Sequence, residues 1–205
     1  MTFSDRTVAS LLAAFRSPDP TPGGGSASAL AGAIGASLLV MVARLPKSRA
    51  ASDAEAARLA AAGERAAALA DQLTTLVDRD SEAYDLVVAA YRRPKGTDEE
   101  KAARGAAIQQ AMRAAIAAPL DVMRACDAAM DVAGDVAGLG NPSASSDVQV
   151  ALELLGAGLR GAQLNVEINL GSVKDASYTD AIRSEIDALE RRSAEHAAAA
   201  RAIQQ

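Results

Sequence analysis

The chain has 205 residues, half of them apolar, with only 2% aromatic residues, no tryptophan and a formal net charge of −5. This length suits one well-buried domain, so we expect a single domain over residues 1–205. Few aromatic side chains and many alanines favour closely packed helices over a β-rich core. The acidic balance excludes an extended basic surface, so no nucleic-acid partner is expected.

Cysteine content and the N-terminal sequence limit the compartment and the cofactors. Cys126 is the only cysteine, so no disulfide can form within the chain. Metal-site spacing of His, Cys or carboxylates is absent from the sequence, so we expect no metal. The residues after Met1 are polar and charged rather than apolar, which predicts no signal peptide and a cytoplasmic protein.

The elements can be read in chain order from proline, glycine and capping signals. A short amphipathic helix is expected from Ser4 until Ser17-Pro18 ends it. Five further helices are predicted over about 24–45, 53–93, 97–137, 145–170 and 175–205, which gives an all-α, elongated up-down bundle of five to six helices. Pro119 is expected to kink the helix predicted over 97–137.

The second predicted helix is uncharged from its start to Ala43. It is long enough to raise the question of a membrane span, but alanine, glycine and serine supply little transfer energy, so a buried central helix is the better interpretation and no membrane partner is expected. Ser28, Gly32 and Ala36 recur every fourth position. This stripe of small residues would let another helix backbone approach closely.

The segment before that helix reads Pro20-Thr21-Pro22-Gly23-Gly24-Gly25-Ser26. Prolines that stop one element and glycines that open the next leave unpaired backbone N–H groups at a helix N-terminus, where an anion or a carbonyl oxygen can bind. A plain glycine linker is the alternative. We predict a binding turn formed by Pro22, Gly23, Gly24, Gly25 and Ser26.

Four polar residues of the third predicted helix fall within about 60° of one another at 100° per residue: Asp80, Tyr84, Tyr91 and Lys95. They form one predicted stripe. A solvated face that carries an ordinary ion pair is equally compatible with this spacing.

Asn165 and Asn169 share a helix face among apolar neighbours. Burying amides without partners would cost about 1–3 kcal/mol each, so both should bind something. The alternatives are a hydrogen bond between helices and recognition of a heterocycle with donors and acceptors along its edge.

Asp147 lies on the same side of that helix as Asn165 but about 27 Å away. One small ligand within one subunit cannot contact both, so they serve opposite ends of a large ligand or meet across a dimer axis. The only histidine, His196, is expected on the surface and outside the chemistry, which leaves carboxylate, lysine, tyrosine or water for proton transfer.

Five motifs in this order resemble the cyclodeaminase/cyclohydrolase family of folate enzymes over nearly the whole chain. They are Pro20 to Ser26; Asp80 with Ala83-Tyr84; Pro94-Lys95-Gly96-Thr97-Asp98-Glu99-Glu100; Gly140-Asn141 with Ser146 to Ala151; and Asn165-Val166 with Ile168-Asn169-Leu170. Tyr84 stands where the family usually has Phe, and Arg93 where Leu is usual. The resemblance implies a helical bundle that dimerises, holds tetrahydrofolate between its helices and uses no cofactor beyond that substrate.

The resemblance also implies roles for the residues above. Asp80 or Asp147 is expected to be the acid/base, and Lys95 its charge partner or a contact to the developing alkoxide. The substrate-binding set is expected to be Pro22, Gly23, Gly24, Gly25, Ser26, Tyr84, Asn141, Asn165 and Asn169, with the two asparagines of the fifth predicted helix on the pterin edge.

Two reactions of the family pass through 5,10-methenyltetrahydrofolate. The cyclohydrolase opens it with water to the 10-formyl compound, and the cyclodeaminase forms it from formimidoyltetrahydrofolate with loss of ammonia. The segment from Thr97 to Arg104 resembles stand-alone cyclohydrolases, so we expect that activity. The cyclodeaminase reaction and a non-catalytic, folate-binding scaffold remain as alternatives.

Overall fold

The computed structural model describes residues 2–203, which form six α-helices and one short 3-10 helix and contain no strand. The helices are α1 Val8–Phe15, α2 Gly24–Arg44, α3 Asp53–Tyr91, α4 Asp98–Leu139, α5 Ser145–Leu170 and α6 Ala176–Ala202, with the 3-10 helix Pro142–Ala144 directly before α5. The all-helical class is confirmed. Residues 204 and 205, which we predicted to end α6, lie outside the described residues.

Successive long helices from α2 to α6 run in alternating directions. α2, α3, α4 and α5 pack as a four-helix core, and α6 lies along α4 and parallel to it. The contacts that fix these directions join Gly25 to Asp80, Arg65 to Asp131, Asn169 to Ala115 and Arg124 to Glu185. One end of the bundle therefore holds the start of α2, the end of α3 and the end of α5.

The stripe of small residues on α2 is buried, as the sequence predicts. Ser28, Gly32 and Ala36 are all inside the bundle. A Cβ atom at Gly158 of α5 would lie 2.8 Å from the carbonyl oxygen of Ser28, so the two backbones touch directly. This close approach places the N-terminus of α2 beside the last turns of α5.

By length and composition alone, α2 could cross a membrane, with a mean hydropathy of 1.9 over its most apolar window. Half of that window is buried within the bundle, and the central helix of a water-soluble protein meets the same criterion. The absence of a membrane partner stays a prediction.

Capping chemistry sets most of the helix ends. Thr97 accepts from the backbone N–H of Glu100, whose side chain accepts from the N–H of Thr97, so the predicted capping box is present. α4 is one continuous helix through Pro119.

α3 ends at Tyr91, two residues earlier than predicted. Nε and Nη2 of Arg104 donate to the Tyr91 carbonyl at 3.2 and 3.1 Å.

Candidate active site

A cavity of about 340 Å³ opens at the end of the bundle where α2 begins and α5 ends. Its lining comprises Pro20, Thr21, Gly23, Gly24, Asp80, Tyr84, Val87, Met112, Ala115, Asn165, Ile168 and Asn169. Helices α2, α3, α4 and α5 all contribute. Six of the residues predicted from the sequence to form the site therefore meet here: Gly23, Gly24, Asp80, Tyr84, Asn165 and Asn169.

Asp80 is bound to the first turn of α2. Its Oδ2 accepts from the backbone N–H of Ser26 at 3.0 Å, and the Ser26 hydroxyl lies 3.3 Å from the same oxygen. That hydroxyl donates to the Val77 carbonyl at 2.8 Å. Asp80 therefore acts as the N-cap that Gly23 lacks, and its negative charge faces the positive end of the helix dipole.

The surroundings of Asp80 shift its affinity for a proton. Burial disfavours the charged carboxylate and raises its pKa above the ordinary value, while the hydrogen bonds from Ser26 lower the pKa to a smaller extent. The other oxygen, Oδ1, has no hydrogen-bond partner in the part of the chain that the structure describes. Asp80 thus combines one anchored oxygen with one oxygen that is available to a ligand or a water molecule.

Gly25 makes the approach of Asp80 possible. A Cβ atom at position 25 would lie 2.0 Å from Oδ1 and 2.4 Å from Cγ of Asp80, far inside van der Waals contact. The backbone N–H groups of Gly24 and Gly25 have no acceptor among residues 2–203. The predicted binding turn is thus partly occupied by the protein itself, because the Ser26 N–H belongs to Asp80.

Pro22 differs from its predicted role. It is buried and does not line the cavity, and it follows a cis peptide bond from Thr21. Pro20 and Thr21, which the sequence interpretation did not assign, supply part of the cavity wall instead.

Both asparagines of α5 use their amide nitrogen within the protein. Nδ2 of Asn165 donates to the Gly161 carbonyl at 2.8 Å, and Nδ2 of Asn169 donates to the Ala115 carbonyl of α4 at 2.9 Å. Both partners are acceptors, so the amide orientations are fixed by chemistry. Neither Oδ1 atom has a donor among the described residues, and both side chains line the cavity. Asn169 therefore makes the hydrogen bond between helices that was one of the two alternatives. The Oδ1 atoms of Asn165 and Asn169 remain available to a ligand.

The structure does not bring Lys95 to Asp80. Helical geometry stops at Tyr91 and Pro94 prevents its continuation, so the predicted stripe does not extend to residue 95. Lys95 is exposed, lies outside the cavity lining and has no electrostatic effect on Asp80, whose pKa is set by burial and by Ser26. Its assignment as charge partner is therefore wrong, and a contact between Lys95 and the substrate stays a prediction.

Asn141 and Asp147 lie at the opposite end of the bundle from the cavity. Oδ1 of Asn141 accepts from the Ser143 N–H at 2.8 Å, and its Nδ2 donates to the Pro46 carbonyl at 2.7 Å. Asn141 thus caps the 3-10 helix and is not placed for substrate in the same subunit. Asp147 is half-buried in the first turn of α5, as far from Asn165 as the sequence predicts.

His196 is half-buried rather than on the surface. Its Nδ1 lies 3.4 Å from Oδ1 of Asp127, a buried carboxylate whose Oδ2 accepts two hydrogen bonds from Arg192. This cluster joins α6 to α4 and is separate from the cavity. Among residues 2–203 no group of three or more His, Cys, Asp or Glu side chains could hold a metal ion, and independence from metal stays a prediction.

The fold and the cavity define a class of protein: an all-helical bundle with a cleft of small-molecule size that is lined by one carboxylate and two amide side chains. A family model described as formiminotransferase-cyclodeaminase matches residues 7–188. The chain belongs to this family.

Two relatives and one solved structure show how this chain compares with other proteins. The methenyltetrahydrofolate cyclohydrolase of Methylorubrum extorquens is 40% identical over 185 residues, which cover 90% of this chain and 89% of that protein. The formimidoyltransferase-cyclodeaminase of Rattus norvegicus is 35% identical over 82% of this chain, which spans only 31% of that protein. A formiminotetrahydrofolate cyclodeaminase from Thermotoga maritima superposes with a TM-score of 0.86 over 98% of this chain and 96% of that chain, and its 22% identity makes this a likeness of fold.

Proposed function

We propose that this protein is a methenyltetrahydrofolate cyclohydrolase, which opens 5,10-methenyltetrahydrofolate with water to 10-formyltetrahydrofolate. The observation that carries the proposal is the half-buried Asp80, held by Ser26 beside a cavity with Oδ1 still available. The relative that bears this name is 40% identical and matches this chain over nearly the full length of both.

The substrate and the cavity have complementary chemistry. The methenyl group carries a positive charge spread over N5, the bridging carbon and N10, and a carboxylate in a half-buried cleft attracts such a cation. The edge of a reduced pterin presents N–H donors at N3 and at the 2-amino group. The free oxygens of Asn165 and Asn169 are acceptors that suit such donors.

The reaction needs a base for one proton and a fixed orientation for the ring. Water adds to the bridging carbon, its proton moves to Asp80 Oδ1, and a neutral tetrahedral carbon forms between N5 and N10. The bond from this carbon to N5 then breaks as the hydroxyl proton is transferred to N5, which leaves the formyl group on N10. Asp80 releases its proton to solvent, so one water is consumed and one proton is released. The raised pKa of Asp80 suits this task, because a general base works best when its pKa lies closer to neutral pH than that of an ordinary aspartate.

The cyclodeaminase reaction is the second candidate, since several relatives of 31 to 36% identity are named formimidoyltransferase-cyclodeaminase.

We also propose that the enzyme is cytoplasmic, needs no cofactor beyond the folate substrate and works as a homodimer. Support for the dimer comes from the solvent-exposed surface where α2 and α5 lie side by side, which exposes Ile34, Met41, Leu164 and Ile168.

Two assays on the purified protein test the assignment. With 5,10-methenyltetrahydrofolate we expect loss of the methenyl absorbance well above the rate in buffer, without ammonia. With formimidoyltetrahydrofolate we expect no ammonia release above the same control. Ammonia release from the second substrate would instead assign the cyclodeaminase. Binding of a reduced folate without turnover of either substrate would support a scaffold and contradict both activities.

A further inference from the structure

Helices α2 and α5 together leave one surface open to solvent that is uncharged except for Asp147 at the start of α5, and we call it the α2–α5 face. On α2 no charged residue occurs from Gly24 to Ala43, and Ile34 and Met41 are 46% and 40% exposed. On α5 the exposed fractions are 67% for Leu164 and 76% for Ile168. Such a continuous apolar surface is unusual on a water-exposed helical bundle.

The α2–α5 face is large enough for a stable contact between two copies. The two helices have 21 and 26 residues, so they are about 31 and 39 Å long. With axes about 10 Å apart, they present a face roughly 20 Å wide, or about 600 Å² on each copy. A total of about 1,200 Å² reaches the lower limit of specific interfaces. The exposed charged residues of α5, Glu153, Arg160 and Glu167, lie towards α6. Among residues 2–203, Asp147 is therefore the one charged residue of this face, and no like charges oppose each other when the face packs against itself.

One row of α5 on the side next to α2 reads almost the same in both directions. At alternating spacings of three and four residues it contains the exposed Val150, Ala157, Leu164 and Ile168 and the half-buried Leu154 and Gly161. Two copies of this helix packed antiparallel around a two-fold axis near position 159 would pair Val150 with Ile168 and Leu154 with Leu164. The small pair, Ala157 with Gly161, falls at the centre, where the backbones come closest.

Asp147 continues this row of α5, three residues before Val150. In the antiparallel pair with its two-fold axis near position 159, Asp147 lies opposite Gly171 of the other copy, about one turn beyond Ile168. Ile168 and Asn169 line the cavity that contains Asp80. Within its own subunit, Asp147 lies at the far end of α5 and outside the cavity lining.

We propose that a second copy of this chain packs α5 against α5 and that the partner's Asp147 completes the substrate cavity of the first copy. Each dimer then has two sites, and each site combines Asp80 of one subunit with Asp147 of the other. The inference rests on the proposed function, because the cavity is taken to bind the cationic folate, which a second carboxylate at the rim would also attract.

Complementation between two inactive variants tests the shared site. Asp80→Asn and Asp147→Asn are each expected to lose at least tenfold in activity. In a dimer that contains one copy of each, one site carries both substitutions and the other carries neither. Random assortment of the two variants in equal amounts should therefore restore about one quarter of the wild-type activity. Full activity of Asp147→Asn alone, or no recovery in mixed dimers, would overturn the proposal.

Cross-linking tests the packing without any activity. Cys126 is buried, so a cysteine introduced on the α2–α5 face is the accessible thiol. Oxidation of a mixture of Val150→Cys and Ile168→Cys should give a covalent dimer, while either variant alone should give none, because like positions lie far apart in the antiparallel pair. Cross-linking of Val150→Cys with itself, or none in the mixture, would contradict the α5 pairing. If the wild type turns over neither folate while the mixture cross-links, the proposed function fails and the packing stands.

Discussion

Nδ2 of Asn169 donates to the carbonyl oxygen of Ala115 at 2.9 Å, and this bond replaces one that α4 cannot make. In an α-helix that carbonyl would accept from the N–H four residues later, but residue 119 is proline and has no N–H. The proline in α4 thus creates an acceptor that fixes the Asn169 amide. Because the Asn169 amide nitrogen is held on the Ala115 carbonyl, its Oδ1 is left to face the cavity.

A double-mutant cycle between Pro119 and Asn169 checks this relationship. Asn169→Ala should lower the free energy of unfolding by about 1 kcal/mol, because the Ala115 carbonyl loses its donor. In a Pro119→Ala background the helix supplies that donor, so the same substitution should cost clearly less. Equal costs in both backgrounds, measured by urea unfolding, would show that the two residues are not coupled.

Gly25→Ala should abolish most of the activity. The added methyl group would overlap Asp80, so the carboxylate must leave its bond to Ser26. A loss of about 100-fold or more in kcat is expected if Asp80 is the base. Gly105→Ala is the matched control, because a Cβ at position 105 of α4 has no atom within 4 Å. That control should keep its activity and gain up to about 1 kcal/mol of stability. Wild-type turnover by Gly25→Ala would contradict the geometry around Asp80.

Asn165→Ala should weaken substrate binding with little effect on folding. The Asn165 side chain donates only to a carbonyl of its own helix, so its loss leaves the helix intact. Removing the free Oδ1 should raise KM about tenfold, which corresponds to one hydrogen bond of about 1.4 kcal/mol. Gln163→Ala, on the same helix outside the cavity, serves as the control. An unchanged KM for Asn165→Ala would remove this residue from the binding set.

The raised pKa of Asp80 predicts how stability depends on pH. Between the ordinary pKa of aspartate and the raised folded-state pKa, the folded protein binds more protons than the unfolded chain, so this group makes stability fall as pH rises through that window. Asp80→Asn removes the contribution. The Tm of the variant minus that of the wild type should therefore increase from pH 3 to pH 7 in thermal unfolding. A constant or decreasing difference would contradict the raised pKa.

The sequence predicted the helices well because their ends are marked by local chemistry. Glycine after proline begins α2, the Thr97 capping box begins α4, and Asp175 caps α6. It also predicted the face of Asn165 and Asn169, since helical periodicity fixes which residues share a side. The error at Lys95 has the same origin, because the periodicity was extended beyond the last helical residue.

The partners of the site residues could not be predicted from the sequence. Asp80 bonds to Ser26, which lies 54 residues earlier, and Asn169 bonds to Ala115, which lies 54 residues earlier as well. Local propensity contains no information about such pairs. One signal was available, since a proline inside α4 necessarily leaves a carbonyl without its helical donor, but nothing in the sequence named the side chain that satisfies it.

The most direct test of the role of Asp80 is the initial rate at which the Asp80→Asn variant removes the methenyl absorbance. The Asp85→Asn variant is the matched control. Asp85 lies on α3 as well, is exposed and stands outside the cavity. We expect kcat to fall by about 10²- to 10⁴-fold for Asp80→Asn while circular dichroism stays that of the wild type, and Asp85→Asn to remain fully active. If folded Asp80→Asn opens 5,10-methenyltetrahydrofolate at the wild-type rate, Asp80 is not the base and this account of the site is wrong.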